Sequence, residues 1–423
     1  MRSSSLAKIA AIGVVGAMAL AACSNSTTAG TSPSGAAPAA SGAPAASGAP
    51  AASGAPAASK ASSAAPAPAG NKTYKIGFEG PLSGDNQQLG INEVNATEVA
   101  VDQANAKGDL GFKLELVKSD DVGLPDKAPA AATTLLQDPL VLGVVGPSFS
   151  GATKAVGKTY GDANLAVISP SATNGTLTSL GFTSFHRIVP PDSVEGQQAA
   201  DWLAKKAKKV FVVDDLSDYG KGVGDDVEKE LKSKGVTVQR QGVDAKTTDY
   251  SAISQTVKSA GVQAMFYGGY DAQASLFAKA LKSTGFTGLT VTGNGGKSTV
   301  FTKGAGAAGD GWYFSCGCLD ATVAPAAKEF EAAYKKKFNI ASSTYSPEAY
   351  DAANALISVI KTLAAKGVVT RKDVLAGVNA LDYKGITTQI KFQKNGEVQQ
   401  QVINLYQQKK GSIQLVGDIK SQS

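Results

Sequence analysis

The chain has one histidine, His186, and three cysteines, Cys23, Cys316 and Cys318, in 423 residues. That scarcity removes whole classes of chemistry. A zinc site needs a second Cys or His pair near the first, and none accompanies Cys316-Gly317-Cys318, so no metal is expected. Two cysteines one residue apart make no disulfide framework. A bridge between them is conceivable in an oxidising compartment, but free, partly buried thiols are the expectation. His186 lies between Phe185 and Arg187 in an expected strand, where a structural role is favoured over that of a general base. No Gly-x-Gly-x-x-Gly follows the first expected strand, which argues against a dinucleotide site. Gly293-Asn294-Gly295-Gly296-Lys297-Ser298 ends like a phosphate loop, yet Val291 stands where its first glycine belongs. The serines of Gly146-Pro147-Ser148-Phe149-Ser150-Gly151 lack the flanking glycines of a nucleophile elbow. Asp120-Asp121 is better read as a polar loop than as an acid pair, because adjacent side chains diverge after a strand. No enzyme and no cofactor are implied. The formal charge is only +6, with acids interspersed among the lysines. Lys205 to Lys209 and Lys335 to Lys337 read as solvated helix ends, so no nucleic-acid partner is expected.

What is present begins with a leader. Arg2 and Lys8 precede an apolar stretch from Ile9 to Leu20, the layout of a secretory signal and too short to span a bilayer. Leu20-Ala21-Ala22-Cys23 then resembles the lipobox of bacterial lipoproteins. That resemblance implies a signal peptide over 1–22, lipid on the Cys23 thiol, and a mature chain held at the extracytoplasmic face of the cell membrane, since several acyl chains anchor firmly. Residues 24–71 are almost entirely Ala, Pro, Ser, Gly and Thr. Ser-Gly-Ala-Pro-Ala-Ala repeats at Ser41 to Ala46, Ser47 to Ala52 and Ser53 to Ala58. With no large apolar group to offset ordering and prolines at short intervals, this reads as a tether. Its reach is on the order of 150 Å if extended like polyproline and about 40 Å as a coil.

From Tyr74 onward, short β-rich runs alternate with helical segments, the pattern of parallel sheets covered by helices on both faces. Strands are expected at Tyr74 to Glu79, Lys113 to Lys118, Val141 to Gly146 and Ala166 to Ser169, with helices between them. The series repeats from Val210 to Thr292. A doubled series predicts two doubly wound α/β lobes. Long helices at Ala326 to Lys337, Pro347 to Lys366 and Arg371 to Ala380 follow, so the chain should cross between lobes more than once. In such sheets ligands sit beyond the carboxyl ends of strands. Two hydroxyl-rich loops fall there, Pro147 to Gly151 and Ser169 to Asn174, and Ser150 is placed to cap the helix that follows it. Side by side, they suit an anion.

Several further segments carry a family resemblance. Gly80-Pro81-Leu82-Ser83-Gly84, Asn105-Ala106-Lys107-Gly108, Asp120-Asp121, Ser169-Pro170-Ser171-Ala172-Thr173, Asp218-Tyr219-Gly220-Lys221-Gly222 and Tyr267-Gly268-Gly269-Tyr270 occur in that order. A turn after Phe392 ends the series at Gly396. Together they make the chain from about Tyr74 similar to the periplasmic leucine/isoleucine/valine-binding proteins of ABC importers. The resemblance implies two Rossmann-like lobes, 72–191 plus 319–386 and 192–318 plus 387–423. A three-segment hinge would lie near Val189 to Ser193, Phe314 to Cys318 and Gly385 to Lys391, and the cleft would close on a ligand. Carried over by position, Ser150 and Thr173 hold a ligand carboxylate with backbone from Ser171, while Tyr219 and Tyr270 close over it from the other lobe. The implied partners are a small amino acid or related solute and an ABC permease, with the receptor itself a monomer; a sensing ectodomain of the same fold is the alternative. Two positions depart from the pattern. Gly295 stands where an acid would meet the ligand ammonium, with Asp218 and Asp271 as candidate substitutes, and Leu89 stands where an aromatic often lies.

Overall fold

A computed structural model describes residues 72–399 and 401–422, so the leader, Cys23 and the tether lie outside the described residues. The chain runs β1 (Thr73–Gly80), α1 (Gln87–Ala106), β2 (Lys113–Asp120), α2 (Ala128–Gln137), β3 (Val141–Val145), α3 (Ser150–Asp162), β4 (Ala166–Ser169) and β5 (Phe185–Arg187). These strands form a five-stranded sheet in the order β2-β1-β3-β4-β5, parallel throughout. Its inner strands β3 and β4 read VLGVV and AVIS and are buried at every residue, as strands covered on both faces must be.

A second series comes next: α4 (Asp192–Lys206), β6 (Lys209–Asp214), α5 (Asp218–Ser233), β7 (Thr237–Gly242), α6 (Ser251–Ser259), β8 (Ala264–Gly268), α7 (Asp271–Ser283), β9 (Leu289–Thr292), α8 (Thr299–Ala305) and β10 (Tyr313–Cys316). The chain then supplies α9 (Lys328–Phe338), α10 (Ser346–Ala364), α11 (Arg371–Asn379), the hairpin β11 (Asp382–Lys384) and β12 (Gln389–Lys391), β13 (Asn404–Lys409) and β14 (Ser412–Asp418). The second sheet has seven strands, ordered β14-β13-β10-β9-β8-β6-β7, with β13 and β14 antiparallel additions to a parallel body. β7 lies at its other edge and alternates exposed with half-buried residues. The protein is thus a pair of doubly wound lobes.

The cores follow from this arrangement. On the first sheet, α1, α9, α10 and α11 cover one face around Phe78, Phe330, Leu356 and Ile360, while α2 and α3 cover the other around Leu135, Val156 and Tyr160. On the second, α4 and α5 pack one face around Trp202, Val227 and Phe266. The remaining face takes α6, α7 and α8 around Tyr250, Phe277 and Phe301.

Three differences from expectation have clear causes. Helix α4 begins at Asp192, where only a chain passage is expected. Its buried face carries Asp192, Glu195 and Gln198, so the apolar stripe that advertises a helix is broken. The third passage between lobes also comes later than Gly385 to Lys391. Ile390 and Phe392 pack in the first lobe's core, and Glu397 pairs with Arg187, so residues 387–398 stay with the first lobe and the chain crosses only before Asn404. Finally, Cys316 and Cys318 are bridged rather than free. Their Cα atoms are 5.1 Å apart, within disulfide reach, and both residues are fully buried.

Candidate functional site

The first lobe presents two loops at the carboxyl edge of its sheet. After β3 the backbone turns through Gly146 at φ +118, where an added Cβ would lie 2.1 Å from the Glu79 carbonyl oxygen, so only glycine fits. The loop then reaches Phe149 and α3. Ser150 does not cap that helix, which has no side-chain cap; its hydroxyl instead accepts the Asn174 amide at 3.2 Å and ties the two loops together. Ser171 Oγ donates to the Ser148 carbonyl at 2.6 Å and Ser169 Oγ to that of Pro147 at 2.7 Å. Thr173 Oγ1 is buried and has only the Asp192 carboxyl beside it as a hydrogen-bond partner. The first-turn amides of α3 are donors free for an anion, and the Thr173 hydroxyl can turn to join them.

A buried arginine holds this second loop from behind. Arg187 Nη1 donates to the carbonyls of Ala172 at 3.1 Å and Asn174 at 2.8 Å, while Nε and Nη2 grip the two oxygens of Glu397. The guanidinium fork thus fixes the backbone on either side of Thr173.

The second lobe supplies the tyrosines. Ser217 caps α5 by accepting the Gly220 amide at 2.9 Å, which seats Tyr219 in the first helical turn. Tyr219 Oη accepts the Gly295 amide at 3.0 Å. A Cβ at Gly295 would stand 2.5 Å from Tyr219 Cε1 and 2.9 Å from the Gly269 carbonyl, so the tyrosine ring takes the room an acidic side chain would need. Tyr270, just before α7, stacks on Phe149 with ring centroids 4.2 Å apart and planes 19° from parallel, and meets Tyr219 at 5.2 Å. The five expected residues therefore fall into two groups, Ser150, Ser171 and Thr173 on one lobe and Tyr219 with Tyr270 on the other, and Phe149 joins them.

The two faces touch. Lys154 Nζ pairs with Asp218 Oδ1 at 2.7 Å, Asn174 Nδ2 donates to the Asp218 carbonyl at 2.6 Å, and Asn86 Nδ2 donates to Asp271 Oδ1 at 2.7 Å. Asp218 and Asp271 thus each bond across the two lobes, and Asp271 Oδ2 stays buried without a partner. A cleft of about 560 Å³ opens beside the stacked rings, lined by Asn86, Phe149, Asp215, Asp218 and Tyr270 among others. Leu89 packs with Phe149, Val189 and Tyr345 in an apolar cluster drawn from both lobes.

Behind the rings lie buried acids. Asp192 donates its backbone amide to the Thr173 carbonyl at 2.7 Å, and its buried carboxyl has only the Thr173 hydroxyl beside it as a hydrogen-bond partner. Burial first, and then the nearby Glu195, hold its pKa well above the usual carboxylate range. Burial first, and then neighbouring acids that include Asp192, raise the pKa values of Tyr219, Tyr270 and Tyr345. Glu195 accepts from Ser315 Oγ at 2.7 Å and from the Asn294 amide at 3.0 Å, and burial pushes it to about 7. Glu93, bonded to Ser148 Oγ at 2.5 Å, and Glu348 are each pushed by burial to about 8. Tyr345 Oη, near all four, is buried and makes no hydrogen bond.

Sequence reasoning missed Asp192, Glu195, Phe149 and Tyr345. The first two had a signal, acids in the first turn of a segment following Pro190-Pro191; Tyr345 had none, because only the return of α10 to the first lobe brings it to the cleft. His186 is structural, buried with Nε2 2.8 Å from Asn379 Oδ1. Among the described residues no cluster of three His, Cys, Asp or Glu could hold a metal ion.

Known proteins share this plan. A family described as periplasmic binding protein matches residues 73–412. A Leu/Ile/Val-binding protein of Rhizobium johnstonii is 31% identical over 356 residues, covering 82% of this chain and 95% of its own. The branched-chain amino acid transporter substrate-binding protein of Streptococcus pneumoniae, solved in complex with isoleucine, superposes with a TM-score of 0.74 and 28% identity over 82% of this chain and all of its own. A leucine-binding protein of Thermotoga maritima, 23% identical over 81% of this chain and 97% of its own, has the same fold with a TM-score of 0.74. These relatives are solute-binding proteins, not enzymes. The chain belongs to the periplasmic binding protein family, in the two-lobed type I form of the branched-chain amino acid transport receptors.

Proposed function

We propose that this protein is the solute receptor of an ABC importer, anchored by lipid on Cys23 outside the cell membrane, and that it captures a small α-amino acid between its lobes. The observation that carries this reading is a buried pair with no other hydrogen-bond partner, the Thr173 hydroxyl facing the Asp192 carboxyl from a neighbouring element. A zwitterion satisfies both. Its carboxylate takes the hydroxyls of Ser150 and Thr173, the backbone at Ser171 and the open amides of α3. Its ammonium takes Asp192, which in its ionised form is otherwise costly to bury. Tyr219 and Tyr270 then cover the ligand, each presenting an apolar ring with a polar tip.

Leu89, Phe149, Val189 and Tyr345 give the surroundings an apolar side, which favours a small aliphatic side chain. The relatives named for Leu, Ile and Val and the isoleucine complex agree with that choice. Glu195 replaces no lost ammonium partner in this scheme, because Asn294 and Ser315 already occupy it.

Thermal-shift titration of the purified protein with L-isoleucine, L-leucine, L-valine, their amides and their desamino acids tests the reading. A bound α-amino acid at about 100 times its Kd should add about 2.7 kcal/mol of stability, and the desamino acids should add far less. Absence of stabilisation by every α-amino acid would refute it. Retention of a Cys23→Ser protein on membranes would refute the anchor, and failure to co-purify with a permease encoded beside it would count against transport.

A further inference from the structure

Away from the stacked rings, a second cavity of about 370 Å³ is lined by Lys297 and Lys303 from the second lobe and by Asp320, Ser343 and Thr344 from the segments that return to the first. Its lining shares no residue with that of the cleft. Lys297 is 7% exposed, and its ammonium has three protons to place. One goes to Thr344 Oγ1 at 3.1 Å, and the Tyr406 ring lies 4.2 Å beneath the nitrogen. Among the described residues it makes no ion pair, unlike Lys154 or Lys234. Burial lowers its pKa and the nearby Asp320 and Glu348 offset this only in part, so the buried ammonium is an expensive arrangement unless something anionic meets it.

The local charge leaves that role open. Asp320 is the one carboxylate in the lining, and its Oδ1 is taken by the Thr322 amide at 3.0 Å and hydroxyl at 2.6 Å. Two lysines against one aspartate leave the cavity cationic. Glu348, the other acid that acts on Lys297, is pushed by burial to about 8 and so is largely neutral at pH 7. Hydroxyls dominate the rest of the wall, and they donate to anions as readily as they accept from cations.

We propose that this cavity is a second binding site, which takes a small oxyanion on the Lys297 ammonium with hydroxyls of both lobes around it. Because the Lys297 carbonyl accepts from Thr344 Oγ1 at 2.7 Å across the junction, an anion here would hold the lobes in the arrangement described. It is an effector site, separate from the cargo.

The test is isothermal titration of the full-length protein with sodium phosphate, sodium sulfate and sodium acetate in turn, at ionic strength held constant with sodium chloride. Wild-type protein should bind at least one of the three saturably at one per chain, and which one responds separates a tetrahedral inorganic ion from a carboxylate. Lys297→Met should weaken that binding at least about thirtyfold, the low end for removing one partner of a buried charge pair. Asp320→Asn, which removes the repelling carboxylate and leaves Lys297 in place, should strengthen it. Absence of saturable binding, an equal response to chloride, or unchanged affinity in Asp320→Asn would each overturn the proposal, the last even if Lys297→Met fails to fold. Loss of amino-acid binding in the cleft would leave this result untouched, so the two readings fail separately.

Discussion

Replacing Asp192 by Asn should move two properties in opposite directions. Without ligand, the carboxyl is buried with only the Thr173 hydroxyl beside it and has a pKa raised above the carboxylate range, so its ionised form opposes folding. A neutral amide of the same shape removes that opposition. Leaving a buried polar group unsatisfied costs about 1–3 kcal/mol, so Asp192→Asn should gain on the order of 1 kcal/mol. In a chain this size that corresponds to a melting point higher by about 2 °C. The sign follows from linkage. A group whose pKa is raised on folding stabilises below its unfolded value near 4 and loses that contribution as pH climbs, so the variant's advantage should be small near pH 4 and widen toward pH 8. With an α-amino acid present the order reverses. The ligand ammonium loses its charged partner, which costs about 2–5 kcal/mol, or roughly thirty- to several-thousandfold in Kd. Differential scanning fluorimetry across that pH range, with and without L-isoleucine, reads both effects. A variant that melts lower than wild type without ligand and is still stabilised by isoleucine would refute the reasoning.

Three further outcomes rest on the same geometry. Arg187→Met strands Glu397 without its buried partner and frees the loop around Thr173, so urea unfolding should show a loss of roughly 3–5 kcal/mol, with part recovered in the Arg187→Met, Glu397→Gln double variant. A loss under about 1 kcal/mol would mean that the fork holds nothing. Tyr270→Ala removes the stack on Phe149, worth about 0.5–1.5 kcal/mol beyond burial; ligand-free stability should fall by that amount plus the lost packing, about 3 kcal/mol in all, while stabilisation by isoleucine disappears in thermal-shift titration. Glu93 and Glu348, at about 8, and Glu195, at about 7, keep protons in the folded chain that the unfolded chain has released, so ligand-free melting should decline from about pH 5 to pH 8. A melting point that rises across that interval would contradict the buried-acid account.

The lobes and sheets were legible because strands such as VLGVV and AVIS and the Ala-rich helices state their burial in composition alone. The two hydroxyl-rich loops were legible as well, because each follows a strand end, while Ser150, Ser171 and Thr173 were singled out within them by the family resemblance. What escaped was whatever depends on polar burial or on a distant segment. Helix α4 hides behind Asp192, Glu195 and Gln198, whose partners lie on β10, on the loop after β9 and near residue 401. Phe149 stands between two serines with no signal of its own, and only the other lobe brings Tyr270 against it. The late third passage was hidden because Glu397 is held by Arg187, 210 residues earlier.

That late passage restricts how such a protein can be divided. With crossings after Arg187, after Cys316 and before Asn404, neither lobe is a contiguous stretch of gene. Ending translation after Cys318 would strip the first sheet of α9, α10 and α11 and deny the second β13 and β14. Exchange of a whole lobe between relatives therefore requires three coordinated recombination points, whereas loops at the rim can be replaced singly. New specificities on this scaffold are reached most directly by altering side chains around an intact pair of lobes.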